Sequence, residues 1–304
     1  MTQLLNALPG ALAQGLIWGV MAIGVYITYK VLDIADLTVD GSICTGAAVC
    51  TMLLLGGQSP WLALLCAVLA GVLAGAVTGL LHVGLAIPPI LAGILTQMVL
   101  WSVNLKLLGK ANQALPARTT PVLLSQMDVG GALPVLLGFC VVLVALLVLF
   151  FGTELGCALR ATGCNPVMSR AQGVNTGLMK VVGLALSNGV VALSGALLCQ
   201  YQGYTDVNMG RGAVVIGLAA VVIGQAVLGR RGGRMAVQLG GVILGAVIYY
   251  IVYQVIIFAG FDTDLLKMFS AVVVAVFLGA PHVKAQLKAH SRSKKGDSGH
   301  AENE

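Results

Sequence analysis

The chain has 304 residues, of which 58% are hydrophobic and 9% charged, with a formal net charge of +6 and a mean hydropathy of +0.96. This composition excludes a soluble globular domain and identifies an integral membrane protein. Runs of roughly 17–25 apolar residues cross a hydrocarbon core of about 30 Å as helices. The alternation of a membrane barrel is absent, and no aromatic-interleaved basic surface points to nucleic acid.

The expected fold is all-α: a polytopic transmembrane helical bundle of about eight or nine spans, with broken or re-entrant segments. Apolar windows place the spans near 11–30, 42–57, 61–82, 85–108, 132–152, 179–201, 213–229, 236–259 and 264–280. The first has no basic leader or cleavage signature and reads as a retained span. Residues 1–283 form the transmembrane domain, and 284–304, charged and without apolar periodicity, form a disordered cytoplasmic tail.

Between the first two spans lies LDIADLTVDGS, residues 32–42, with Asp33, Asp36 and Asp40 set among apolar residues. Acids in transmembrane territory usually face a bundle interior or a watery cavity, which makes Asp36 and Asp40 candidates for a translocation path or gate. Capping is the alternative for Asp40, ahead of a helix expected to start near Ser42. Both roles fit a broken helix. In the fourth span Gln97 and Asn104, and in the sixth Asn188, are read as polar bridges between helices.

The longest cationic polar interval, TELGCALRATGCNPVMSRAQGVNTGLMK (153–180), cannot span, because each Arg at the membrane centre would cost roughly 2.5–3.5 kcal/mol. It reads as two short helical pieces joined by a turn at Pro166. The positive-inside rule assigns it, GRRGGR (229–234) and the tail to the cytoplasm, and by counting back puts 109–131 outside. Past the sixth span, YTDVNMGRG (204–212) leads into AVVIGLAAVVIG, echoing the acid-rich break that leads into GSICTGAAV in the first half. Such an echo suggests a weak inverted repeat of the kind found around solute paths. Asp206 and Asn208 on this second break join the path candidates, with an Asp206–Arg211 ion pair as the structural alternative.

Small-xxx-small glycines (Gly15/Gly19, Gly71/Gly75/Gly79, Gly241/Gly245) suit close helix packing. Seven cysteines are scattered without disulfide spacing, and the four histidines lie too far from Cys157 and Cys164 to suggest a metal site. Signatures of a zinc hydrolase, a Walker-type phosphate loop and a nucleophile turn are all missing, and Glu154 is the only glutamate before the tail. Neither a catalytic site nor a bound cofactor is expected in this chain. Tyr249, Tyr250 and Tyr253 suit an interface belt or a helix contact.

With these residues in view, a family resemblance emerges. Arg160, Ala161, Ala171, Gly173, Val174 and Asn175, with Asn165 between them, resemble the coupling loop of permease subunits in the branched-chain amino acid and sugar permease family of ABC importers. DLTVDGS (36–42) and GLAAVVIG…GRRGGR (217–234) resemble two further motifs of that family, so the likeness extends over residues 11 to about 280. Asp40 is an insertion relative to the sugar permeases and favours an amino acid or another polar solute.

The resemblance implies an ATPase subunit that binds ATP and Mg, a second permease copy that completes a homodimer, and an extracytoplasmic solute-binding protein, all at a bacterial inner membrane and in contact with its lipid. A secondary transporter or channel that needs no ATPase is the alternative that the residues alone leave open.

Overall fold

A computed structural model describes residues 2–116, 120–228 and 234–258, with the isolated positions 272 and 275. The expected span near 264–280, apart from those two positions, and the tail 284–304 lie outside the described residues, as do residues 229–233 of the basic GRRGGR turn.

In chain order the elements are α1 (Thr2–Tyr26), α2 (Val39–Leu55), α3 (Pro60–Gly84), α4 (Pro89–Leu108), β1 (Asn112–Ala114) and α5 (Val129–Gly152). There follow α6 (Glu154–Cys164), α7 (Pro166–Ala171), α8 (Thr176–Gln202), β2 (Tyr204–Asp206), α9 (Ala213–Leu228) and α10 (Met235–Phe258). α1 continues into a π-helical turn, Ile27–Val31. Local chemistry sets many of the ends. Ser59 accepts from the Leu62 N–H ahead of Pro60, Asp128 accepts from the Gly131 N–H at 3.0 Å, and Gly203 closes α8 with a left-handed φ of 76°. The antiparallel pair β1–β2, which matches Asn112 with Asp206, is the one departure from an all-helical chain among the described residues.

Among the described residues six helices, α1, α3, α4, α5, α8 and α10, are long and apolar enough to cross a membrane. The sequence windows near 42–57 and 213–229 are different. α2 and α9 have 17 and 16 residues and rise about 25 Å, short of a hydrocarbon core of about 30 Å.

Their starting points explain the shortfall. α1 runs from the end of the bundle that carries the β-pair to the end that carries α6 and α7, where the backbone of Val31 packs on Gly163. Residues 32–38 then turn back into the bundle, so that Ser42, in the first turns of α2, donates to Asn188 near the middle of α8, at 2.6 Å. From the opposite end, the chain after β2 descends beside α2. Thr205 meets Thr51 at 2.7 Å, Val207 accepts from the Cys44 thiol at 3.3 Å, and Gly210 lies against the backbone of Asp40. The two breaks therefore enter from opposite ends, as their positions in the sequence suggest, but they meet inside the bundle.

The helices around them exchange partners in a repeated manner. α3 presses Gly71, Gly75 and Gly79 against Asn188, Leu184 and Val181 of α8, and α1 presses Gly15 and Gly19 against Val247 and Ile243 of α10. α1 and α8, which run in opposite directions, lie side by side at the centre and are tied by Ser187 to the Gly24 carbonyl (2.8 Å) and by Ser194 to the Ile17 carbonyl (2.7 Å). A Cβ at Gly75 would overlap the Leu184 carbonyl, and one at Gly46 the Ala192 carbonyl, so small residues set these close approaches. Tyr250 is buried against Trp18 of α1, with ring centroids 5.9 Å apart, which places it in a helix contact.

Candidate translocation and coupling sites

The acids of the first break have separate surroundings. Asp36 is buried; one carboxylate oxygen accepts from the Thr38 N–H and the other from the Asn188 side-chain amide, both at 2.8 Å. Asn188 also donates to the Leu184 carbonyl (2.9 Å) and accepts from Ser42. Beside it, Thr38, Thr78 and Thr96 link their hydroxyls at 2.8 and 2.9 Å, joining the break to α3 and α4. A break in the backbone leaves polar groups that lipid cannot satisfy; Asp36 satisfies one of them, the Thr38 N–H, and the side chains around it tie the break to α3, α4 and α8.

For Asp40 the sequence suggests a cap on its own helix. The structure corrects this: α2 already starts at Val39 behind Thr38, which makes no side-chain cap, and Asp40 sits in its first turn. Its two oxygens instead accept from the backbone N–H groups of Gly212 (3.0 Å) and Val214 (3.1 Å), at the start of α9. One broken helix thus supplies the cap of the other, where an acid also complements the positive end of the helix dipole.

Asp40 borders a cavity of about 520 Å³ at the junction, lined also by Gln97, Met98, Trp101, Asn104 and Arg211. The Asp206–Arg211 pair suggested by the sequence does not form. Asp206 accepts from the Asn208 N–H at 2.7 Å, and among the described residues Arg211 has no ion pair. Asp36, Asp206 and Asn208 do not line the cavity, so of the four path candidates Asp40 alone reaches it. Of the three polar bridges expected, Asn188 fills that role, Gln97 faces the cavity, and the buried Asn104 leaves its side-chain oxygen without a partner. Sequence reasoning missed Arg211, Trp101 and Ser102 as cavity residues; the one available signal was a lone arginine between small residues in GRG.

The segment 153–180 forms the two short helices expected of it, followed by the first turn of α8. Three side chains cap helices here: Thr153 accepts from Gly156 N–H (3.3 Å), Asn165 from Met168 N–H (3.0 Å) and Asn175 from Leu178 N–H (3.1 Å). Gly173 makes the turn between α7 and α8 with φ of 85°, a conformation that L side chains rarely adopt, and its neighbour Val174 is half-buried. Arg160 folds back to donate to the Phe151 carbonyl at 3.1 Å, fastening α6 to the end of α5. Ala161 and Ala171 are exposed, and α7 presents Val167 and Met168 to the outside, 79% and 62% exposed. The residues of the motif thus mostly build a rigid protrusion whose tip is apolar.

A polytopic bundle with two broken helices meeting at a mid-depth cavity, and a rigid double-helix protrusion at one end, defines a membrane permease. Residues 8–280 match the family described as "Branched-chain amino acid transport system / permease component". The chain belongs to that family and is a permease of the ABC importer class. It is 37% identical over 287 residues to the "Tyrosine transport system permease protein" of Clostridioides difficile, covering 93% of this chain and 94% of the relative. It is also 29% identical over 216 residues to the "Autoinducer 2 import system permease protein LsrC" of Escherichia coli, covering 67% and 60% of the two chains. No solved structure matches the chain.

Proposed function

We propose that this chain carries an amino acid or a similar small polar solute across the bacterial inner membrane along the face that holds the Asp40–Arg211 cavity. The observation that carries this reading is an exposed arginine at the depth of Asp40, well inside the bundle. Facing lipid, such a group costs roughly 2.5–3.5 kcal/mol near the membrane centre. A face that holds it is better suited to water or protein, which supports a second permease copy across a shared path. Asp40 and Arg211 offer opposite charges to the ammonium and carboxylate of a zwitterion, and Met98 and Trp101 offer apolar surface to its side chain. The tyrosine permease of C. difficile supports the same substrate class.

In this reading the basic α6–α7 protrusion faces the cytoplasm and docks on an ATPase subunit, which holds ATP and Mg, while a solute-binding protein delivers the solute at the opposite side. Arg160, Ala161, Asn165, Ala171, Gly173, Val174 and Asn175 form or shape the docking knob, and Asp36, Asp206 and Asn208 hold the two breaks. The chain itself transmits motion and performs no bond chemistry. Because Arg160 and Gly173 also hold the fold locally, the clean test is Val167→Asp. Co-purification with the ATPase should fall about tenfold while thermal stability of the permease stays at the parent level. Undiminished co-purification refutes the docking assignment. Arg211→Gln should lower solute uptake by reconstituted complexes about tenfold with assembly retained, and parental uptake refutes the path assignment.

A further inference from the structure

A second polar cavity, of about 290 Å³, lies at the α6–α7 end, away from the junction, between the α3–α4 turn and the start of α8. His82, Arg170 and Lys180 line it together with Thr176 and Gly177, and among the described residues no acid does. The basic groups are fixed in place. The His82 Nδ1 lies 2.8 Å from the Ile87 carbonyl, and its Nε2 lies 3.2 Å from Lys180 Nζ. With Nδ1 donating to that carbonyl, Nε2 is left to accept from the ammonium. Arg170 donates to the Thr176 hydroxyl at 3.1 Å. Both permanent cations therefore rest on neutral partners, and neither has an ion pair among the described residues. The N-terminal end of the 27-residue α8 adds its own positive potential to the cavity.

The surroundings point to lipid. Leu85, in the turn that borders the cavity, is 66% exposed, and Ile90, in the first turn of α4, is 52% exposed. Val83, on the cavity wall, and Leu178, one turn into α8, are exposed as well. A cationic pocket with no acid among its described lining residues, rimmed by exposed aliphatic side chains where transmembrane helices end, matches a headgroup phosphate with acyl chains lying over the rim. We propose that this cavity binds the phosphate of an anionic lipid in the leaflet next to the α6–α7 end. The site ties α7, through Arg170, to the end of α3, through His82, so its occupancy braces the protrusion against the bundle.

The test uses the purified full chain in uncharged detergent and measures Tm with short-chain phosphatidylglycerol, with short-chain phosphatidylcholine, or with inorganic phosphate at equal concentration. Phosphatidylglycerol should raise Tm by about 3 °C more than phosphatidylcholine. The difference should vanish in Arg170→Gln/Lys180→Gln and persist in Lys180→Arg. Because each variant is compared with itself across lipids, a general loss of stability does not imitate the result. Equal shifts from the two lipids, or a difference that survives the charge-deleting pair, overturns the proposal. An equal shift from inorganic phosphate overturns the lipid in favour of a free anion.

Discussion

Exchanging the side chains of Asp36 and Asn188 tests whether the first break is held by the hydrogen bonds seen between them. In Asp36→Asn, the new side chain keeps an oxygen for the Thr38 N–H but turns an NH₂ group toward the NH₂ of Asn188. Asn188 cannot flip to meet it without losing its hydrogen bond to the Leu184 carbonyl, which its own oxygen would then face, and forcing the Ser42 hydroxyl to turn from donor to acceptor. The single change loses a charge-assisted hydrogen bond and leaves a buried donor unmatched, a cost of about 2–3 kcal/mol. Asn188→Asp sets two carboxylates face to face and removes the side-chain hydrogen bond to the Leu184 carbonyl, at least as large a cost. When Asp36→Asn and Asn188→Asp are combined, the amide introduced at the first position donates to the carboxylate introduced at the second. Ser42 keeps its acceptor, and what is still lost is the second, side-chain hydrogen bond to the Leu184 carbonyl, which now faces a carboxylate oxygen. The double exchange should therefore recover about 2 kcal/mol relative to the sum of the singles. Reversible unfolding in mixed micelles, followed by helical ellipticity, gives the four stabilities. A coupling below about 0.5 kcal/mol refutes the network as the element that holds the break.

Asp40→Ala, which removes the acceptor of two N–H groups at the start of α9, should destabilise by about 1–3 kcal/mol, and Asp40→Asn by clearly less, because one oxygen remains; equal losses in the same unfolding assay argue against the cap. Gly46→Val should lower stability by about 3 kcal/mol or prevent insertion, since even its Cβ overlaps the Ala192 carbonyl; parental yield and Tm contradict the close approach. In sealed inverted and right-side-out vesicles, exposed Cys157 and Cys164 should react with impermeant maleimide from the cytoplasmic side only. On a background lacking those two cysteines, a cysteine replacing exposed Met127 should react from the other side only. Labelling of both positions from one side overturns the topology.

Local chemistry in the sequence accounts for much of the fold. Apolar windows locate seven helices of the described residues to within four positions at both ends and miss only the start of α1, by nine, because a chain in lipid must satisfy its backbone internally and leaves long uninterrupted runs. The α6–α7 segment is legible for a related reason: its caps are Thr153, Asn165 and Asn175, each acting within three residues of itself, and its turn is a glycine. Short-range rules are written in short stretches of sequence. Depth is less legible: the windows near 42–57 and 213–229 already have about the lengths of α2 and α9, but α2 and α9 are as apolar as full spans, and composition does not show where in the bundle they start.

Residue type and neighbour spacing are enough to specify a helical membrane protein with two polar breaks, close glycine contacts and a cationic segment between the fifth and sixth apolar windows. Which residues meet across the bundle depends on how the chain folds. Asp40 caps a helix that begins beyond Gly212, at a separation of 172 residues. Asp36 is paired by Asn188 across 152 residues, and Arg211 comes to share a cavity with Trp101 rather than an ion pair with Asp206. The breaks look alike in sequence, each an acid-bearing interruption before a small-residue helix. Their different roles arise from chain folding, which brings them in from opposite ends and leaves one acid sealed among hydrogen bonds and the other at the edge of a cavity.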